Sequence, residues 1–175
     1  MVNKLSPQEI AEQAKLTYTA GDYPAAVRAF ADAAEAYSVM GDACMSAEMK
    51  NNLSVALLRN KQAQAALEAS EGTDAVFAEA GDPRRQGMAL ANQASALEAL
   101  KCFKEAIDFY IRASDALEKA GEEDLRLEVM QLLSALYLRR FKFFDAIIAL
   151  QSGLSAVKDP TPKQRFLKKL LFIRL

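Results

Sequence analysis

Asn52 and Asn92 each stand midway along a stretch patterned as a helix, at the same position of a repeating pattern. Asparagine is a modest helix former, so its return at one position needs a reason. Its amide carries a donor beside an acceptor, the pair that can hold the backbone of an extended peptide. The alternative is that both residues simply fill solvated positions. Two other groupings invite a chemical reading. Glu122-Glu123-Asp124 could hold a metal or serve as acid and base, but it falls where a helix begins, and acids there complement the helix dipole. Arg139-Arg140-Phe141-Lys142-Phe143-Phe144 interleaves cations with rings, a pattern suited to single-stranded nucleic acid. Phe143, however, shares the register of Tyr23 and Phe103 and is expected in the core, so nucleic acid is not expected as a partner.

The chain contains no histidine. That removes the commonest general base, the commonest metal ligand and the simplest pH switch near neutrality. No Ser/His or Cys/His pair can be assembled. The closest glycines, Gly81 and Gly87, are not followed by the Gly-Lys-Ser/Thr of a phosphate loop. No catalytic residue, metal ligand or cofactor is therefore expected, and the reading is non-enzymatic. Cys44 and Cys102 lie far apart in the sequence with no partner motif and read as small hydrophobes in a reducing compartment. Of 175 residues 51% are apolar and 26% charged, ordinary for a folded soluble chain, and the net charge of −1 gives no strong pull towards nucleic acid or anionic membrane. No secretory h-region opens the sequence, and no apolar run approaches the roughly 18 residues of a membrane span. The expected location is the cytoplasm.

The elements that must position the asparagines come from a repeat. Ala26, Ala66, Ala106 and Ala146 recur at one fixed spacing without slippage. Twelve positions before each is another small residue, at Ala14, Ser54, Ala94 and Ser134. Small side chains in register allow two helices to cross closely, while large neighbours such as Phe30, Tyr110 and Leu150 fill the grooves beside the crossing. Ser6, Pro7 and Glu9 form an N-terminal capping box, and Gly41-Asp42, Gly81-Asp82 and Gly121-Glu122 are stop-start signals. Tight turns are expected at Gly21-Asp22, Arg59-Asn60-Lys61, Leu100-Lys101 and Arg140-Phe141. Gly72 and Thr73 fall inside the second helix of repeat two and predict a distortion or an early end there. Asp159-Pro160-Thr161-Pro162 breaks the register before one last short helix.

Small and large residues at these offsets resemble the tetratricopeptide repeat (TPR), over about residues 7 to 158. The period here is 40 rather than the usual 34. The extra length falls between Ala26 and Ser54, which resembles the extended variant of kinesin light chain and the soluble NSF attachment proteins. The resemblance implies an all-α, right-handed superhelical α-solenoid of four helix-turn-helix repeats, at about 6–40, 41–80, 81–120 and 121–158, with a C-terminal capping helix at 162–175, all one domain. It also implies a concave face lined by the first helix of each repeat and used to bind other proteins. Carried onto this sequence, the partner-binding positions are Lys15, Asn51, Asn52, Arg59, Met88, Asn92 and Gln131. The carboxylate clamp of chaperone-binding members needs Lys, Asn, Asn, Lys and Arg where this chain has Ala11, Lys15, Asn52, Met88 and Asn92, so a chaperone C-terminus is not the expected ligand.

The last helix carries an apolar face of Phe166, Leu170 and Ile173, with Leu167 and Leu171, set against Arg165, Lys168 and Lys169. Three roles fit it: covering the open end of repeat four, forming a homodimer contact, or lying on a membrane surface. The function expected first is an adaptor holding a peptide or helix of a partner in its groove. The alternatives are self-assembly through the last helix and peripheral recruitment to a membrane.

Overall fold

A computed structural model describes residues 5–171, and among them the chain is helical throughout with no strand. Repeat one is α1 (Pro7–Thr19) and α2 (Tyr23–Val39). Repeat two is α3 (Ala43–Arg59) followed by a divided arm, α4 (Ala63–Ser70) and α5 (Thr73–Glu79). Repeat three is α6 (Pro83–Ala99) and α7 (Phe103–Ala120), and repeat four is α8 (Glu123–Arg139) and α9 (Phe143–Ala156). The short α10 (Pro162–Leu171) follows the Pro-rich turn. Apart from the two halves of the broken arm, which pack on α3 and α6 rather than on one another, each helix packs on the one before and the one after it, which is the helical-hairpin solenoid that the repeat implies.

The length of the repeat has a simple origin. Helices α2, α3, α6 and α8 are each 17 residues long, and most turns take three more. From α1 to α9 one residue of each turn between arms adopts positive φ, and that position recurs at half the repeat period. It is glycine at Gly21, Gly41, Gly81 and Gly121, and Lys61, Lys101 and Phe141 elsewhere. Helix starts are fixed by side chains as well. Asp22, Asp42 and Asp82 accept from the backbone N–H of Ala25, Met45 and Arg85 at 2.9–3.1 Å, and the Ser6–Glu9 capping box is formed.

The small-residue columns lie where helices cross. Ala14, Ala26, Ser54, Ala66, Ala94 and Ala106 are wholly buried, and Ala146 nearly so. Phe30, Tyr37, Phe77, Tyr110 and Leu117 fill the space beside them. Ser134 donates to the Ala146 carbonyl at 2.8 Å, binding the two columns of repeat four together, whereas the Ser54 hydroxyl is buried with no partner among the described residues.

The break in repeat two falls where Gly72 predicts it. Glu71 is extended, Gly72 takes φ 75°, and α5 sets off in a new direction. The Ser70 carbonyl freed by the break accepts from the Thr73 hydroxyl at 2.7 Å and from Gln93 Nε2 at 3.1 Å. Gln93 also donates to Asp74, which pairs with Arg112. The bend is thus a satisfied polar network rather than a fault.

Two expectations need correction. Phe143 is not core: it is more than half exposed, because among the described residues no further first helix stacks on α9 as α8 stacks on α7. Asn51 is not on a free surface: it is buried, with Oδ1 3.1 Å from the Thr73 hydroxyl. Ile173 lies outside the described residues.

Candidate functional site

Helices α3 and α6 are the first arms of the two middle repeats, and they pack against each other. Residues spaced three and four apart along each share a face. This brings Glu48, Asn51 and Asn52 of α3 together with Arg84, Arg85, Met88 and Asn92 of α6 around one hollow of about 130 Å³, floored by Phe77 of α5. The two asparagines that recur in the sequence therefore line a single site.

Their neighbours are already engaged. The Arg85 guanidinium lies over the Phe77 ring, 5.0 Å from its centroid, with Nη1 3.4 Å from Glu48. Asp82 accepts from the Arg85 backbone N–H at 2.9 Å and from its Nε at 2.6 Å, and these bonds hold the Asp82 carboxyl below its usual pKa. Arg84 pairs with Glu122 at 2.8 Å. Asn52 and Asn92 differ: both are half-buried, and neither side-chain amide bonds to any described residue. The site presents two unspent donor–acceptor pairs on a surface otherwise fixed by ion pairs and a cation–π contact.

The remaining expected positions are spread more widely. Met88 is exposed at the rim of the same hollow. Lys15 is exposed on α1 and pairs with Glu12 at 2.8 Å. Arg59 at the end of α3 and Gln131 on α8 are exposed but do not line the hollow. On α10, Phe166 and Leu170 point into solvent, and no described residue of that helix is buried. Phe77 and Arg85 were not among the expected site residues. For Arg85 a signal existed: it stands in a column otherwise made of Leu5, Met45 and Leu125. For Phe77, displaced by the bend at Gly72, the repeat register carries none.

The acidic run is structural. Glu122 pairs with Arg84, and Glu123 with Lys158 at 2.6 Å, which holds the Glu123 carboxyl below its usual pKa. Among the described residues no three acidic or cysteine side chains gather as metal ligands, and no helix is long and apolar enough to cross a membrane. Two larger hollows, of about 290 and 260 Å³, lie between α2 and the broken arm, meeting at Ser38, Lys50 and Glu71. They follow from the bend, and the Ser46 and Thr73 hydroxyls that line the first of them are already bonded to protein.

No protein-family profile matches the chain, and no curated relative matches it by sequence. Solved structures do resemble it. A Podosopora anserina protein described as a kinesin light chain with nearly identical TPR-like repeats superposes with a TM-score of 0.74 at 17% identity, covering 94% of this chain and 82% of its own. A single-substitution variant of that protein gives a TM-score of 0.75, again at 17% identity, over 97% and 85% of the two chains. BtubC (BKLC) from P. vanneervenii gives 0.74 at 20% identity, over 95% of this chain and 68% of that one. The chain has the TPR-like helical-repeat fold.

Proposed function

On this TPR-like scaffold, we propose that the concave face of the middle repeats holds an extended segment of another protein, and that the chain is a non-enzymatic adaptor. The observation that carries the reading is the pair Asn52 and Asn92. They come from neighbouring first helices, border one hollow, and keep both amides free of hydrogen bonds to the described residues. An extended backbone offers alternating N–H and C=O groups, which two such amides can meet in turn. The hollow is about 130 Å³, well under the ~300–1,000 Å³ of small-molecule sites, so it suits one inserted side chain rather than a cofactor. Met88 at its rim supplies a soft apolar contact. The rest of the concave face adds Lys15, Arg59 and Gln131 as outlying contacts to a longer segment. With two unpaired cysteines, this work belongs in the cytoplasm.

The test is quantitative capture of partners from lysate of the source cells by the wild-type chain and by Asn52→Ala with Asn92→Ala. Loss of specific partners at unchanged helicity supports the groove. Identical captured sets at identical yield reject it.

A further inference from the structure

We propose that the outer face of α9 docks an amphipathic α-helix of another protein, apolar on one side and acidic along its flanks. This surface is separate from the concave groove.

In the internal repeats the second helix turns large residues towards the next repeat, and the next first helix covers them. Val27 packs into the cluster to which α3 contributes Met49, beside Met45 and Leu53, and Phe103 and Ile107 pack into the cluster to which α8 contributes Val129 and Leu133. The corresponding residues of repeat four are Phe143 and Ile147, which are 57% and 43% exposed. Helix α10 does not take the missing position. It returns along α9 from the far end: Leu167 and Leu171 pack with Leu150, Leu154 and Val157, and Gln151 Nε2 donates to the Leu171 carbonyl.

A missing neighbour does not account for the next column round the helix. That column faces outward and is mostly polar in the first three repeats, with Pro24 and Arg28, Gln64 and Glu68, then Lys104 and Asp108, all exposed. In repeat four it becomes Phe144 and Ile148, 85% and 62% exposed. Phe141, 81% exposed, lies edge-on to Phe143 with ring centroids 6.4 Å apart, and it occupies the positive-φ turn position held elsewhere by glycine or lysine. With a Phe side chain carrying about 150–250 Å², the three rings alone leave on the order of 400 Å² of apolar surface. Together with Ile147 and Ile148 this reaches the size at which exposed patches are commonly functional.

The surrounding charge selects the occupant. Residues 139–175 contain nine Lys and Arg against two Asp and Glu, whereas the preceding 138 residues contain 13 against 21. Arg140, over the Phe103 ring, and Lys142, over the Tyr137 ring, flank Phe141 and outnumber Asp145, the single acid of α9, while Arg165 and Lys169 are exposed on α10 at the far end of α9. A second copy docked face to face would set these cations against their own counterparts. A helix with acidic flanks meets them with opposite charge. The occupant is a helix because the uncovered column is one that receives a helix in every internal repeat, with side-chain ridges spaced to interdigitate.

The probe is a synthetic amphipathic helix of about five turns, with leucines on one face and glutamates elsewhere, compared with the same peptide carrying lysines for the glutamates. Titrated against the full chain by fluorescence anisotropy, the glutamate peptide is expected to bind and to weaken with added salt, and the lysine peptide to bind about tenfold or more weakly. Phe144→Ser with Ile148→Ser, both solvent-exposed changes, should weaken the glutamate peptide about tenfold or more with helicity unchanged, while Asn52→Ala with Asn92→Ala leaves it unaltered. Equal binding of the two peptides, or binding indifferent to the Phe144 and Ile148 changes, overturns the proposal. So does a dimer in sedimentation that those two changes dissolve, or binding to phosphatidylserine vesicles that they abolish while the glutamate peptide fails to bind.

Discussion

The hydroxyl of Thr73 lies 3.1 Å from Oδ1 of Asn51 and 2.7 Å from the Ser70 carbonyl, joining α3 to the bend that follows Gly72. This one relationship divides two adjacent asparagines into different roles. Asn51 is buried at the edge of the hollow with its Oδ1 engaged by Thr73; Asn52, the next residue and some 100° further round the helix, borders the same hollow, half-buried, with its amide bonded to no described residue.

That division has a measurable consequence. Asn51→Ala removes a buried partner of Thr73 and should lower stability by about 1 kcal/mol. Asn52→Ala removes no protein hydrogen bond and should change stability by no more than about 0.5 kcal/mol, with a small gain from better helix propensity. Urea denaturation of the two variants reads the difference directly. Equal losses would mean that Asn52 is also structural.

The serines of the small-residue column should separate in the same way. Ser54→Ala deletes a buried, unpartnered hydroxyl and should leave stability unchanged or raise it by up to about 1 kcal/mol. Ser134→Ala deletes the donor to the Ala146 carbonyl and should cost about 1 kcal/mol. Thermal unfolding of both variants, set against wild type, decides it.

The turn position offers a pair of opposite sign. At Gly41, with φ 79°, a Cβ would meet nothing within 4 Å, so Gly41→Ala is disfavoured by backbone conformation alone, by about 1–2 kcal/mol. Lys101 already bears that strain at φ 65°. Lys101→Gly relieves it at the expense of chain entropy, for a net gain of about 0.5–1 kcal/mol. A lower denaturation midpoint for Lys101→Gly would show that the lysine side chain contributes something beyond its backbone.

Tyr110 links stability to alkaline pH. Its ring is buried, and its hydroxyl lies 3.1 Å from Glu98 and 3.2 Å from Ser95, while Glu98 in turn accepts from Arg139 of the next repeat. Burial, reinforced by the Glu98 charge, pushes the phenol well above its usual range. The folded state therefore holds this proton more tightly than the unfolded chain, whose tyrosine pKa is about 10. The stabilisation is complete below that pH and is lost as pH rises above it. Denaturation of wild type should fall more steeply above pH ~10 than that of Tyr110→Phe, and parallel curves would show that Tyr110 does not carry the dependence.

The fold was legible because its signal is redundant. Four alanines, four small partners and a glycine at most turns each report the same period, so no single exception obscures it. The break at Gly72 was legible for the same reason, as a departure from an otherwise regular arm. Part of the site could also be read, since Asn52, Met88 and Asn92 follow from register. Asn51 could not be sorted from Asn52, because what buries it is Thr73 of a displaced helix, distant in sequence. Phe143 misled for a related reason: register says which way a side chain points, but not whether a neighbour is there to cover it. Its column is covered in the internal repeats and open in the last.

The central claim is that Asn52 and Asn92 together hold the backbone of a bound segment. It is tested most directly by selecting peptides from a displayed random library on the wild-type chain and titrating the enriched sequences against wild type and the Asn52→Ala, Asn92→Ala variant. Loss of two amide contacts at about 1 kcal/mol or more each predicts binding weakened by at least about tenfold, with unchanged helicity and unchanged affinity for the α9 probe helix. Equal affinities of the selected peptides for both proteins would contradict the account.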